Sequence, residues 1–237
     1  MAVYIYSITG KQHPLRIGDL RGVGESPAAL RTVTAGPLSA VVSDASEDLR
    51  PKRRDITAHQ EVQERLMADG TVLPMRFGLM AADDEAVRLA LEQYGEEYVQ
   101  RLQALEGCAE YHLKVSQEED ALLHQILQES SVARELNDEI RGGTAGPDAP
   151  LRLGELVAQE VQARQEVLAE EVVGTLRPFA REIEASQPTG SDFVSASFLV
   201  TEGQEEAFLS TETSVADQWG DDFDFRLHGP LPPYSFV

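Results

Sequence analysis

Cysteine is nearly absent from this chain. Cys108 stands alone, so no internal disulfide can form, and a reducing compartment fits best. No apolar run approaches the ~18 residues needed to cross a bilayer. The opening Met1–Tyr6 run lacks the basic start of a secretory leader, which points to the cytoplasm. Bases are scarce: 20 Lys and Arg face 41 Asp and Glu, for a net charge of −21. This balance disfavours nucleic acid and anionic membrane surfaces, both of which need clustered cations.

Local signatures of chemistry are missing too. The five histidines (His13, His59, His112, His124 and His228) fall in no metal-binding spacing. Gly22-Val-Gly-Glu-Ser-Pro27 begins like a dinucleotide loop, but Pro27 stands where the last glycine belongs. There is no phosphate loop and no nucleophile elbow. Glu96-Glu97 and Glu118-Glu119 are adjacent acids that diverge on a helix, so they form no glycosidase-type pair. These absences predict no catalytic residue, no metal and no cofactor. They suggest a protein that works by contact, with the acidity keeping it soluble.

Two apolar, proline-bearing segments stand out. One is Thr71-Val-Leu-Pro-Met-Arg-Phe-Gly78, and the other is Gly229-Pro-Leu-Pro-Pro-Tyr-Ser-Phe-Val237. An acidic chain is expected to end in a solvated tail. Tyr234, Phe236 and Val237 instead predict a docked one. Pro74 predicts an edge strand or a bulge. If Met75 and Phe77 share one face of that strand, Arg76 points the other way. Its partner is then either one of the many acids or another protein. The candidate partner-binding residues are Pro74, Met75, Arg76, Phe77, Pro232, Pro233, Tyr234 and Phe236.

The apolar periods give an α+β fold of two domains. Strands are expected at Ala2–Ile8, Arg31–Ala35 and Leu38–Ser43, with Gly36-Pro37 as a hairpin turn. A helix over 56–68, capped by Asp55 or Thr57, leads to a strand at 71–77. One helix over 83–105 then carries Val87, Leu91, Tyr94, Tyr98, Leu102 and Leu105 on a single stripe. A strand at 109–115 completes a ferredoxin-like α/β sandwich over residues 1–116. The second domain spans 117–237. It is read as a helical hairpin (117–187), a small sheet with an acidic helix (192–228) and the docked tail (229–237). The hairpin pairs a helix at 117–140 with one at 151–186, which Pro178 should kink or split.

With these residues in place, the chain resembles the gas vesicle protein family GvpL/GvpF. Tyr4-Ile-Tyr6, Leu38-Ser-Ala-Val-Val-Ser43, His59 with Val62 and Glu64, and Gly107 to Lys114 with Glu110 carry part of the likeness. Val72-Leu-Pro-Met-Arg-Phe-Gly78 and Gly229 to Phe236 are its specific parts. The resemblance implies a cytoplasmic accessory or minor structural protein of gas vesicles. It would bind the hydrophobic shell protein and other accessory proteins, assist nucleation or assembly, and not be an enzyme. The alternative is a ferredoxin-like ligand-binding domain or enzyme with an unrecognised pocket, which would need a buried polar cluster at His59, His112 or Arg76.

Overall fold

The computed structural model describes residues 2–237. Among them are seven α-helices and two antiparallel sheets, an α+β fold. The chain separates into two compact units. Met1–Tyr111, Leu199–Glu202 and Gly229–Val237 form the first, and His112–Phe198 with Gly203–His228 form the second. The sequence reading placed one boundary at 116/117. The chain instead passes between units several times, and its tail belongs to the first unit.

The first unit holds β1 (Ala2–Gly10), β2 (Arg31–Ala35), β3 (Leu38–Ala45), β4 (Val72–Pro74) and β5 (Met80–Ala81). The strands lie in the order β2-β3-β1-β4, and β5 also pairs with β1. Gly36-Pro37 turns the β2–β3 hairpin, as expected. Residues 11–30, between β1 and β2, form no helix, although a ferredoxin-like sandwich has one there.

A bulge in β1 decides what each face of this sheet carries. Ile5 lies opposite Val42 and Ser7 opposite Val41, so Tyr6 is the extra residue. Val3, Ile5 and Ile8 join one core with Leu38, Ala40 and Val42. Tyr4 and Tyr6 join the opposite core with Val41. The inserted residue shifts the alternation, as bulges do, and so Tyr4, Tyr6 and Ser7 come to one side. Both faces are covered, which is why β1 and β3 are almost wholly apolar or buried.

Helices close both faces. α1 (Arg53–Asp69) presents Val62 and Leu66 to the Tyr4–Tyr6 side. It starts earlier than expected, and neither Asp55 nor Thr57 caps it. Lys52 stands at the N-cap, and the buried Asp55 carboxylate accepts the Gly24 N–H at 2.8 Å. On the other face the single helix expected over 83–105 is two, α2 (Asp84–Gln93) and α3 (Gly95–Ala104). Gly95, a poor helix former, marks the break. Most of the stripe survives it: Val87, Leu91, Tyr98, Leu102 and Leu105 all reach the core, while Tyr94 at the break is 45% exposed. Asp83 caps α2 through the Ala86 N–H at 2.8 Å.

The second sheet has β6 (Cys108–Gln117), β7 (Glu182–Ala185), β8 (Asp192–Thr201) and β9 (Phe223–Leu231), in the order β7-β8-β6-β9. The second unit holds α4 (Glu119–Glu129), α5 (Ser131–Arg141), α6 (Ala149–Leu176) and α7 (Glu205–Trp219). The helix expected over 117–140 breaks at Ser130, whose extended backbone and hydroxyl cap α5 at the Ala133 N–H. α6 ends in a 3₁₀ turn at Arg177–Phe179, where Pro178 cannot continue it. Ile183, expected in the helical seam, therefore lies in β7. Leu122, Ile126 and Ala133 pack with Leu153, Leu156, Val157 and Val161, joining α4 and α5 to the first half of α6.

Candidate functional site

The bulged β1, one face of α1, the 75–79 loop and the C-terminal tail meet around His59. Tyr4 and Tyr6 come from β1. His59 and Gln63 are four residues apart, one turn along α1, and so share a face. The Tyr4 hydroxyl accepts the Gly78 N–H at 3.1 Å and lies 2.9 Å from His59 Nδ1. The Tyr234 hydroxyl lies 3.2 Å from His59 Nε2. The imidazole stacks on Tyr6 at 5.8 Å and on Tyr234 at 6.3 Å, and Phe77 meets it edge-on at 5.8 Å. Gln63 donates to the Tyr6 carbonyl and accepts from Ser7 Oγ at 2.9 Å. The Tyr6 hydroxyl is held by Ser43 Oγ at 2.9 Å and by the Val23 N–H at 2.8 Å.

This network is buried, and its electrostatics follow from that. Burial pushes His59 down to about 4, an effect only partly offset by a hydrogen bond to the Met75 backbone, so the ring is neutral at pH 7. Burial raises the Tyr4 and Tyr234 phenols as well, so both stay protonated. His59 is thus a structural histidine with a hydroxyl at each ring nitrogen. His112 belongs to a different cluster, 2.9 Å from Ser197 Oγ and 3.4 Å from Ser195 Oγ.

The 74–78 segment is an interrupted edge strand. Pro74 ends β4 opposite Ser7, on the sheet edge where a missing N–H is tolerated. The Met75 N–H reaches the Tyr6 carbonyl at 2.8 Å. The chain then turns through Arg76–Leu79, opposite the bulge, and rejoins β1 when Leu79 accepts from the Ile5 N–H at 3.0 Å. Gly78 takes φ +94° in this turn, a left-handed value that suits glycine. The turn breaks the strand period, so Met75 and Phe77 do not share a face. Met75 packs into the α2–α3 core and Phe77 into the His59 side.

The tail is docked within the first unit. Pro232, Pro233 and Phe236 are buried. Both Glu110 carboxylate oxygens are used by Ser235, from its hydroxyl at 2.6 Å and its N–H at 2.9 Å. Arg101 donates to the Phe236 carbonyl. A side chain at Gly229 would put Cβ 2.5 Å from the Tyr111 ring and 2.9 Å from the Glu110 carbonyl oxygen, so only glycine fits.

The eight predicted contact residues therefore divide. Pro74, Pro232, Pro233 and Phe236 are covered by the chain itself, Met75, Phe77 and Tyr234 are partly covered, and Arg76 is exposed. Among the described residues, Arg76 has no acid within ion-pair distance. Leu79, in the same turn, is 43% exposed. Sequence reasoning did not assign Gln63, Glu110 and Arg101 to the site, although they hold its segments in place. The His59/Gln63 spacing was a readable signal, whereas the contacts of Glu110 and Arg101 span more than a hundred residues. Among the described residues no helix is long and apolar enough to cross a membrane.

Comparison with known proteins agrees with these observations. The family model "Gas vesicle synthesis protein GvpL/GvpF" matches residues 2–237. The chain is 38% identical to gas vesicle protein F of Streptomyces sp. (strain CB03234), over all of both chains. Its fold is similar to the crystal structure of GvpF from Anabaena sp. PCC7120, with a TM-score of 0.85, 22% identity, and coverage of 99% of this chain and 97% of that one. It is also similar to GvpF from Microcystis aeruginosa, with a TM-score of 0.79, 24% identity, and coverage of 99% and 98%. A match along the whole described length, joined to a full-length relative of this identity, means that the chain belongs to the gas vesicle synthesis protein GvpL/GvpF family.

Proposed function

We propose that this chain is a cytoplasmic accessory or minor structural protein of gas vesicles that binds the hydrophobic shell protein and assists nucleation or assembly, alongside other accessory proteins. It acts by contact and transforms no substrate. The observation that carries this reading is the Arg76–Leu79 turn. It offers a cation with no acid partner among the described residues and an exposed leucine, on a chain of net charge −21. The turn is fixed from beneath by Phe77 and by the Gly78–Tyr4 hydrogen bond. Pro74, Met75, Phe77 and the tail residues 232–236 shape and stiffen this surface from below, and Arg76 makes the contact. The first unit is read as a variant ferredoxin-like domain in which the 11–30 loop replaces the first helix, and the second as an α+β domain with a helical hairpin.

The test is capture of purified shell subunit by the wild-type chain and by Arg76→Glu. The side chain is exposed, so stability should stay within about 0.5 kcal/mol of wild type. Capture should fall at least tenfold. Undiminished capture by a folded Arg76→Glu protein would remove the turn as the contact. Mass spectrometry of washed vesicles then separates a retained component from a transient assembly factor.

A further inference from the structure

The second unit contains a trough that the reading above does not use. It has a volume of about 890 Å³ and runs between α4 and the middle of α6, with Gln117, Asp222 and Phe223 also on its lining. On α6 its wall is Glu160, Ala163, Arg164, Val167 and Leu168. These positions follow i, i+3, i+4, i+7, i+8, a single helix face about 12 Å long. On α4 the wall is Ala121, Leu122, His124, Gln125, Gln128 and Glu129, again one face.

α6 is under-covered along this stretch. Its buried residues are Ala149, Val172 and Leu176, all near its ends. Val167, on the trough wall, is 66% exposed. A trough open along two helix faces does not enclose a small ligand, which normally loses about 70–90% of its surface in a pocket. Its length and its two helical walls suit a third helix lying in the groove.

The polar groups set the charge of that helix. Glu129, Glu160 and Asp222 line the trough against one permanent cation, with His124 also on its wall. That cation, Arg164, is already paired with Glu129 at 2.8 Å and lies 3.8 Å from Glu160. Gln117 Oε1 is buried on the trough lining and has no hydrogen-bond donor among the described residues, and the buried Arg164 Nε likewise has no hydrogen-bond acceptor there. The excess of acids and the vacant Gln117 acceptor call for cationic donors, and the one vacant donor, Arg164 Nε, does not offset them.

We propose that the α4–α6 trough is a docking groove for a cationic amphipathic helix of a partner protein. The apolar side of that helix covers Leu122, Ala163, Val167 and Leu168. Its Lys or Arg residues meet Glu160, Glu129 and Asp222. This surface is separate from the Arg76 turn, and the two can fail independently.

The experiment uses the full chain and a synthetic Leu/Lys amphipathic peptide of about four helical turns. Its controls are the same peptide with Lys replaced by Glu and a scrambled Leu/Lys peptide. Trp219 is the only tryptophan, and its ring lies 4.8 Å from that of Phe223, which lines the trough, so its emission reports occupancy. The Leu/Lys peptide should bind at least tenfold more tightly than either control. Val167→Lys and Glu160→Lys should each weaken binding at least tenfold. Both positions are on the helix surface, and circular dichroism checks that the variants fold. Hydrogen exchange on the wild-type chain should show peptide-dependent protection in 119–129 and 160–168, which needs no variant. Equal binding of the anionic or scrambled peptide, binding unaffected by both substitutions, protection confined elsewhere, or no binding would each overturn the proposal.

Discussion

Replacing His59 by glutamine isolates one titration in a protein crowded with carboxylates. In the folded chain His59 titrates at about 4, against about 6.5 for an exposed histidine. Between those values the unfolded chain holds a proton that the folded chain does not, so stability must fall as pH falls. The contribution is intact above about pH 7 and is lost progressively down to about pH 4. With a shift of this size the loss is ~2 kcal/mol at pH 5 and ~3 kcal/mol once the pH is well below 4. The 41 acids titrate in the same range, so the wild-type profile alone is uninformative. The difference between wild type and His59→Gln cancels most of that background. Urea unfolding followed by tyrosine fluorescence and far-UV circular dichroism at pH 7.5 and pH 5 should show wild type losing ~2 kcal/mol more than the variant. Parallel pH profiles would refute the burial argument. Should the variant not fold, the wild-type His59 ring signal in an NMR titration serves instead, and a midpoint near 6.5 would refute it equally.

Two further predictions concern the tail. Phe236→Ala removes a side chain only 3% exposed in the α2–α3 core and should cost about 3–5 kcal/mol. Val237→Ala, at a residue 50% exposed, should stay within about 0.5 kcal/mol, and equal unfolding midpoints for the two would show that the tail is not docked. Gly229→Ala forces Cβ against Tyr111 and Glu110 and should cost about 1–3 kcal/mol. It should also speed proteolysis of residues 229–237, and an unchanged cleavage rate would contradict the close approach.

Composition and apolar period alone were enough for the α+β class, the β2–β3 hairpin, α7, an edge position for Pro74 and a docked tail, because each rests on neighbours within a few residues. Helix continuity was less legible. The stripe from Val87 to Leu105 and the run from 117 to 140 keep their period across breaks at Gly95 and Ser130, and a period cannot report a local change of backbone angle. Ile183 fitted a helical seam by spacing, but the chain past Pro178 was free to join β8.

Only tertiary structure decided the rest. The bulge at Tyr6 is set by pairing with β3, and no residue in β1 announces it. That bulge brings Tyr4, Tyr6 and Ser7 to one side, and opposite it the 76–79 turn interrupts the pairing of β4 and β5 with β1. His59 then meets Tyr4 from 55 residues away and Tyr234 from 175 residues away. The sequence named Arg76 and the tail together as contact residues. The fold separates them, burying Pro232, Pro233 and Phe236 while leaving Arg76 in water, because the tail packs within the first unit and the Arg76 side chain does not.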